Sequence, residues 1–289
     1  MRALVTGAGG QVGRALLRFA PPGVVALGAL HADLDIGDVR AVARVLAEQN
    51  PQVVINAAAY TAVDKAESEP EAAARVNAVG PRVLAEAAQA KNIRLIHVST
   101  DFVFDGCAWL PYRVDAEPRP LSVYGRTKLD GECAIRSVLG DATIMLRTAW
   151  VYDAKGRNFL NTMLRLMREN GRVRVVADQV GTPTSADSVA TALWRLAADG
   201  GLLGTFHWTD AGVASWYDFA VAIAEEGAAV GLLSDAVAVE PIATCDYPTP
   251  AKRPAYSVLD TRSTCEALGL RPIHWRTALK RVLGEMALA

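Results

Sequence analysis

The chain has 289 residues, of which 51% are hydrophobic and 21% charged, an ordinary composition for a globular protein with a large core. A formal net charge of -1 excludes a general basic field for nucleic acid, and no apolar run approaches the roughly 18 residues of a membrane span. The strand pattern at the start of the chain predicts no signal peptide, so we expect a cytoplasmic protein without a membrane or nucleic-acid partner. The four cysteines and four histidines are scattered, which predicts reduced thiols and no metal site.

Residues 2–13 predict a strand, a tight turn and the start of a helix. The strand pattern of residues 2–6 is followed by glycines at positions 7, 10 and 13. A glycine-rich turn lets the backbone approach a pyrophosphate, and the N-terminus of the following helix adds free N–H donors. A tight turn without a ligand is the alternative interpretation. The position in the first strand–helix unit favours nucleotide binding by Gly7, Gly10 and Gly13.

The end of the second predicted strand, at residues 24–27, bears on the choice of cofactor. Dinucleotide-binding folds commonly place an acid there, which binds the adenosine ribose 2′-hydroxyl. Here the next residue is Gly28, and the first acids are Asp33 and Asp35. Because nothing at Gly28 repels a 2′-phosphate, we expect NADPH to be accepted at least as well as NADH.

Strand and helix patterns alternate as far as about residue 150. This alternation predicts a Rossmann-type doubly wound parallel sheet with helices on both faces. We expect residues 60–69 to form a loop, Pro70 to start a helix, and the pair Gly80 and Pro81 to bend or break that helix. The other predicted elements here are strands at 53–55, 94–99 and 142–146 and helices at 39–48 and 124–137.

The alternation of strand and helix patterns becomes less regular after about residue 150, which predicts a smaller α/β domain at the C-terminal end. We divide the chain into an NAD(P)-binding domain at 1–150 and a mainly substrate-binding domain at 151–289, with segments near 172–200 returning to the first. The proline-rich stretch 247–254 has no regular pattern. The predicted elements are helices at 158–169, 188–198, 215–224, 261–268 and 275–286 and strands at 172–177 and 206–208.

Tyr124 and Lys128 are four residues apart, so on a helix their side chains share one face. A tyrosine hydroxyl has an ordinary pKa of about 10, and a nearby ammonium group lowers that pKa. Such a pair is suited to giving a proton to an oxygen that becomes an alkoxide. Thr100 ends the apolar run at 95–98 and is expected at the carboxyl end of a strand, where open α/β sheets bind ligands. Taken alone, the tyrosine–lysine spacing also fits a solvated helix face.

The chain resembles the dTDP-4-dehydrorhamnose reductases, a family within the extended short-chain dehydrogenase/reductase superfamily. One departure is Phe102, where the family usually has a tyrosine. The resemblance spans nearly the whole chain and rests on the stretches 6–13, 56–67, 99–106, 124–129, 147–152 and 247–254.

This resemblance implies a role for each matching residue. Tyr124 would be the proton donor, and Lys128 would hold the nicotinamide ribose and lower the pKa of Tyr124. Thr100 would hydrogen-bond the 4-keto oxygen, Asp101 would contact the sugar or orient its neighbours, and Trp150 would contact the sugar nucleotide. The implied cofactor-binding residues are Gly7, Gly10, Gln11, Val12 and Gly13 at the pyrophosphate, Asp35 and Ile36 at the adenine, and Ala57, Ala59, Tyr60, Thr61 and Val98 along the channel. Trp150 as a core aromatic and Asp35 as a helix cap remain alternatives.

The implied activity is NADPH- or NADH-dependent reduction of the 4-keto group of a dTDP-6-deoxy-4-keto-L-hexose to dTDP-L-rhamnose. The alternatives are a related nucleotide-sugar 4-ketoreductase, a 4-epimerase, and a non-enzymatic regulatory subunit on this fold, similar to the methionine adenosyltransferase β subunit. A 4,6-dehydratase is disfavoured, because it needs a second carboxylate where Phe102 follows Asp101. The expected partner is a dTDP-sugar; a homodimer, and a divalent metal in its assembly, are left open.

Overall fold

A parallel six-stranded sheet forms the centre of the computed structural model, which describes residues 1–234 and 237–288. The strands are β1 (Arg2–Thr6), β2 (Val25–Ala29), β3 (Val53–Asn56), β4 (Arg94–Thr100), β5 (Ile144–Thr148), β6 (Val151–Tyr152), β7 (Arg172–Val176), β8 (Val180–Gly181), β9 (Thr184–Ser185), β10 (Gly204–His207), β11 (Ala214–Ser215) and β12 (Ala238–Ile242). The α-helices are α1 (Gln11–Arg18), α2 (Val39–Gln49), α3 (Val63–Ala66), α4 (Pro70–Ala74), α5 (Gly80–Ala90), α6 (Val123–Leu139), α7 (Phe159–Asn170), α8 (Ala186–Ala198), α9 (Trp216–Ala229), α10 (Arg262–Leu268) and α11 (Trp275–Ala287).

The central sheet has the strand order β10-β5-β4-β3-β1-β2, and each neighbouring pair is parallel. The prediction of a Rossmann-type doubly wound sheet is therefore confirmed. The order reverses between β1 and β3, which places a crevice at the carboxyl ends of these two strands. The glycine-rich turn after β1 and the small residues after β3 flank this crevice.

Alternate residues of each strand pack on opposite faces of the sheet. Leu4, Val54 and Leu95 belong to a core cluster with α2 and α5. On the other face, Val5 and Ile55 belong to a cluster that includes α1 and α8. Both faces are covered, which explains why these strands read as continuous apolar runs in the sequence.

The helix that starts at Pro70 is not broken at Gly80 and Pro81, so that part of the expectation was wrong, and a bend at this point stays a prediction. A π-helical segment, Arg75–Val79, joins α4 to α5, and Pro81 lies in the first turn of α5. Pro81 has no N–H, so the carbonyl of Asn77 is free of an i to i−4 bond. A Cβ atom on Gly131 of α6 would overlap that carbonyl oxygen, so α6 packs closely against the π segment.

Several short elements were not predicted, and two of them are examples. Residues 60–69 contain the short helix α3 in addition to loop. The strand β12 was not predicted, and it pairs in parallel with β7. Both differences concern elements of five residues or fewer, whose periodicity in the sequence is weak.

The second half of the chain contributes to two cores. Helix α8 packs on α1, where the Trp194 indole donates to the carbonyl of Leu16 at 3.0 Å, and β10 extends the central sheet beside β5. Helices α7, α9 and α11 enclose a separate cluster that includes Tyr152 and Phe219. The assignment of a substrate-binding role to residues 151–289 stays a prediction. Across residues 1–234 and 237–288, no helix combines the length and apolar character needed to cross a bilayer.

Candidate active site

The glycine-rich turn after β1 lets two backbone segments come very close. Gly7 has φ +67°, and a Cβ atom there would lie 2.6 Å from the amide nitrogen of Ala58. A Cβ atom on Gly13 would overlap the carbonyl oxygen of Gly7. Gly10 is the N-cap of α1 and provides no side-chain cap, so the first N–H groups of this helix are available to an anion. This cradle fits the pyrophosphate of a dinucleotide.

Gln11 and Val12 contribute only backbone atoms to this cradle, because their side chains make contacts elsewhere. The Gln11 amide donates to the carbonyl of Val151 at 3.2 Å and accepts from Asn158 Nδ2 at 2.8 Å. Val12 packs, half-buried, against the core beneath α1. The side chain of Gln11 therefore ties the turn to β6 and to the start of α7.

Asp35 and Ile36 follow β2, the edge strand of the central sheet beside β1. Asp35 Oδ2 accepts from Arg75 at 2.7 Å, and Oδ1 accepts from the amide of Gly37 at 2.9 Å; the bond from Arg75 is the main reason that the pKa of Asp35 is lowered. Ile36 is buried against Gly80. The N-cap of α2 is Asp38 and not Asp35, which removes the helix-cap alternative for Asp35.

The segment 57–61 lies along the crevice after β3, and Asn77 fixes its backbone. Asn77 Oδ1 accepts from the amide of Tyr60 at 2.8 Å, and Nδ2 donates to the Tyr60 carbonyl at 3.1 Å. Nδ2 also lies 3.2 Å from Thr127 Oγ1 of α6. The side chains of Ala57 and Ala59 are half-buried, whereas Thr61 is exposed. The π segment that carries Asn77 thus orders this wall of the crevice.

Helix α6 starts beside the carboxyl end of β4. The Ser122 hydroxyl caps it by accepting from the amide of Gly125 at 3.1 Å, and a Cβ atom on Gly125 would overlap the Phe102 carbonyl oxygen. Tyr124 and Lys128 lie on one buried face of the helix, as the spacing predicts. The Tyr124 ring meets Phe102 edge to face, with ring centroids 5.4 Å apart. Thr100 is the last residue of β4, as predicted, and its hydroxyl lies beside Tyr124.

Burial raises the pKa of Tyr124 to about 12, the hydroxyl of Thr100 lowers it in part, and the nearby Asp101 raises it further. The expectation that Lys128 lowers this pKa was therefore wrong for the arrangement in this structure. The physical reason is the direction of the lysine side chain. Lys128 Nζ donates to the carbonyl of Val98 at 2.8 Å and lies 3.2 Å from His97 Nε2. Burial lowers the pKa of Lys128 to about 8.

Asp101 follows Thr100 and is fully buried. Its Oδ1 accepts from the Thr100 hydroxyl at 3.0 Å, while Oδ2 has no hydrogen-bond partner among the described residues. Burial is the main reason that the pKa of Asp101 is raised to about 6, and the nearby hydroxyls of Ser257 and Thr100 oppose this rise. Ser257 belongs to the second half of the chain, so this carboxyl group lies where the two halves meet.

Trp150 has a strained backbone and a half-buried side chain. Its φ of +47° lies in the left-handed region, which is rare for a bulky residue and often marks a functional position. The indole stacks face to face on Trp216, with ring centroids 3.5 Å apart and an interplanar angle of 5°. A Cβ atom on Gly181 would lie 2.6 Å from the Trp150 ring. Trp150 thus belongs to an aromatic pair after β5 and not to the interior of the main core.

Several buried polar residues of the site were missed from the sequence. Asn56 and His97 lie within apolar strands, and a polar residue in such a strand is a signal that could have found them. Glu132 extends the face of Tyr124 and Lys128 by one more turn of α6, and it pairs with Arg147. Asn77 has no comparable signal, because its position depends on the π segment.

Comparisons with known proteins agree with this geometry. A family model described as "RmlD substrate binding domain" matches residues 1–288. A dTDP-4-dehydrorhamnose reductase of Aggregatibacter actinomycetemcomitans is 42% identical over 97% of this chain and 98% of its own length. The chain belongs to this reductase family.

Two further relatives illustrate the range of the family. A probable dTDP-4,6-dihydroxy-2-methyloxan-3-one 4-ketoreductase of Streptomyces antibioticus is 42% identical over 100% of this chain and 97% of its own length. The crystal structure of dTDP-4-dehydrorhamnose reductase from Bacillus anthracis in complex with NADP superposes with a TM-score of 0.91. It is 33% identical and covers 98% of this chain and 99% of its own.

Proposed function

We propose that this protein reduces the 4-keto group of dTDP-4-dehydro-L-rhamnose with NADPH or NADH and forms dTDP-L-rhamnose. The observation that carries the proposal is that Thr100 ends β4 and that Tyr124, on the buried face of α6, packs on the neighbouring Phe102 at this end of the sheet. Two further findings support the proposal: the glycine-rich cradle fits a dinucleotide, and the chain belongs to a reductase family.

The bound reduced nicotinamide would supply a hydride to the keto carbon, and the protein must then manage the charge that develops on the oxygen. Tyr124 is protonated at neutral pH, because burial raises its pKa, and it holds a proton for that oxygen. Thr100 can donate a second hydrogen bond, and a donor placed in advance stabilises the developing negative charge. Lys128 would hold the nicotinamide ribose, which requires its side chain to reach beyond the Val98 carbonyl.

The other residues of the crevice have roles in binding. Gly7, Gly10 and Gly13 would surround the pyrophosphate, with the backbone of Gln11 and Val12 completing the cradle. Asp35 and Ile36 would lie against the adenine, and Ala57, Ala59, Tyr60, Thr61 and Val98 would line the channel. Asp101 and Trp150 would contact the sugar nucleotide.

A related 4-ketoreductase activity on another dTDP-sugar is the second candidate, because one full-length relative carries such a name. Purified protein should be incubated with NADPH and either dTDP-4-dehydro-L-rhamnose or its C-3 or C-5 epimers. We expect loss of reduced-nicotinamide absorbance with the first compound and dTDP-L-rhamnose as the product by NMR. Faster turnover of an epimer would favour the second candidate, and an absence of turnover with all of them would favour a regulatory subunit.

A further inference from the structure

Asp153 is a buried carboxylate that lies between two arginines of α1. It follows β6 directly and is 2% exposed. Its Oδ2 accepts from Arg14 Nη2 at 3.2 Å, whereas its Oδ1 accepts from Arg18 Nη2 at 3.3 Å and from the amide of Ala154 at 2.9 Å. Arg18 also pairs with Asp187 of α8. Among the described residues, Arg14 has Asp153 as its one carboxylate partner.

Arg14 connects this carboxylate to the glycine-rich turn after β1. Its Nη1 donates to the carbonyl of Gly9 at 2.5 Å. Its Nη2, which binds Asp153, also donates to the carbonyl of Lys155 at 2.8 Å, and a Cβ atom on Gly156 would lie 3.0 Å from the same nitrogen. Because the guanidinium is planar and rigid, the bonds at Nη2 also set the direction of Nη1. The position of Asp153 is therefore transmitted to the carbonyl of Gly9.

The peptide between Gly9 and Gly10 depends on such a contact for its orientation. Both residues are exposed and have no side chain, so packing does not fix this peptide. Its N–H donates to the carbonyl of Gly7 at 2.9 Å, and its carbonyl accepts from Arg14. These two bonds set the plane of the peptide that leads into Gly10, the N-cap of α1. The first N–H groups of the helix, which a pyrophosphate would meet, follow directly.

We propose that Asp153 is a positioning residue that, through Arg14, fixes the turn on which the pyrophosphate of the cofactor binds. The inference rests on the proposed function, in which this turn binds the pyrophosphate of NADPH or NADH. Asp153 lies three residues after Trp150 in the sequence. The same contacts therefore join the cofactor turn to the segment that carries the proposed substrate contact.

The variant Asp153→Asn separates this role from a simple effect of charge. A carboxylate near the turn repels an anionic pyrophosphate, so by charge alone the variant would bind NADPH more tightly. Asparagine, however, has one acceptor oxygen where the carboxylate has two. When that oxygen keeps the bonds from Arg18 and Ala154, the NH2 group faces Arg14, donor against donor. The turn is then ordered only when the cofactor binds, so we expect the Kd of NADPH to rise at least about fivefold.

Three further variants isolate the path through Arg14. Asp187→Asn is the matched control, because it removes the other carboxylate of Arg18 and leaves the contacts of Arg14 in place, so the Kd of NADPH should stay within about twofold. Arg14→Lys keeps the positive charge but loses the two-nitrogen fork, so it should weaken NADPH binding as much as Asp153→Asn does. The double variant Asp153→Asn/Arg14→Lys should bind no more weakly than Arg14→Lys alone.

Calorimetric titration of NADPH into the full chain measures these Kd values without a sugar substrate, and urea unfolding shows which variants are folded. Turnover gives a second readout: at saturating NADPH the kcat of Asp153→Asn should stay within about twofold of wild type, because Asp153 acts on binding alone.

Unchanged or tighter NADPH binding in a folded Asp153→Asn protein would overturn the proposal, and so would additive losses in the double variant. If Asp153→Asn does not fold, Arg14→Lys decides, and wild-type affinity in that variant would overturn the proposal. The predicted losses of affinity in a protein that does not turn over the dTDP-sugar would support this inference and overturn the proposed function. A wild-type chain that binds neither NADPH nor NADH would overturn both.

Discussion

Glu132 and Arg147 form a fully buried, bidentate ion pair behind the candidate active site, with Arg147 Nη2 2.6 Å from Glu132 Oε2 and Nε 2.9 Å from Oε1. The Ser99 hydroxyl also donates to Glu132 at 2.5 Å, and the Arg147 guanidinium lies over the Phe104 ring. The pair therefore joins α6, which carries Tyr124, to β4 and β5. Removing one partner would leave a buried charge unpaired.

Glu132→Gln is expected to lower the free energy of unfolding by about 3–5 kcal/mol at neutral pH, because Arg147 loses its counter-charge. Arg147 holds the pKa of Glu132 below its usual value, so the stabilisation is present above pH 4.5 and is lost as the pH falls further. Urea unfolding measures the change. Glu117→Gln removes a largely exposed partner of Arg119 and is the control, with no measurable effect expected. Equal stability of Glu132→Gln and wild type would show that the pair adds nothing.

Asp101→Asn tests the cost of the buried carboxyl group. The pKa of Asp101 is raised from 3.8 to about 6, so the folded state binds the proton more tightly and stability falls as the pH rises from 4 to 6. The uncharged asparagine avoids this loss. We expect the variant to be more stable than wild type at pH 8, by on the order of 1–3 kcal/mol, and equally stable at pH 4. A wild-type stability that rises between pH 4 and 6 relative to the variant would contradict the assignment.

Trp216 is expected to support the substrate contact of Trp150. Trp216→Ala removes the ring on which Trp150 stacks, so the strained Trp150 should lose its fixed orientation. We predict at least a roughly fivefold rise in KM for the dTDP-sugar, from the loss of about 1 kcal/mol of aromatic pairing, with NADPH affinity unchanged. Trp109→Ala is the control, because Trp109 is 86% exposed. A rise in the Kd of NADPH without a change in substrate KM would place the pair at the cofactor instead.

Gly28 is expected to permit a 2′-phosphate on the cofactor. The ratio of kcat/KM for NADPH to that for NADH should be at least one in the wild type. Gly28→Asp should lower this ratio more than about tenfold through charge repulsion. The new Cβ atom would meet the flexible end of Leu17 at 2.9 Å, and Gly28→Ala controls for this contact. Strong preference of the wild type for NADH would show that Asp33 or another acid binds the ribose.

Thr100→Val removes the second hydrogen-bond donor and keeps the shape of the side chain. In the structure the Thr100 hydroxyl donates to Asp101, so it must turn from that carboxylate to reach a keto oxygen. We expect kcat to fall more than about tenfold while the affinity for NADPH holds. Weaker NADPH binding with unchanged kcat would make Thr100 a structural residue of the strand end and turn attention to Ser99 or residues 57–61.

The fold could be predicted from the sequence because each central strand is buried on both faces. Such strands appear in the sequence as runs of apolar residues. The glycines at positions 7 and 13 indicate the turn after β1, because a Cβ atom at either position would overlap the backbone. The π segment at Arg75–Val79 could not be predicted, because a proline only signals that a hydrogen bond is missing and not how the chain adapts.

The sequence predicted the part of the candidate site in which both residues lie on one helix. Tyr124 and Lys128 are four residues apart on α6, and this spacing places them on the same face. The candidate site was not predicted where the contact crosses between strands, as for Asn56 and His97, which are 41 positions apart. The direction of Lys128 toward Val98 was missed for the same reason: helical spacing places two residues on one face but does not set where a long side chain ends. The wrong expectation for the pKa of Tyr124 follows from this.

The central claim is that Tyr124 supplies the proton that completes reduction of the 4-keto group. The most direct measurement is the turnover of Tyr124→Phe with dTDP-4-dehydro-L-rhamnose and NADPH, beside Tyr152→Phe, in which a buried tyrosine away from the crevice loses its hydroxyl. Tyr124→Phe should lose a factor of about 10² to 10⁴ in kcat with little change in substrate Kd, while Tyr152→Phe retains turnover. Near-normal kcat in a folded Tyr124→Phe protein would contradict the claim.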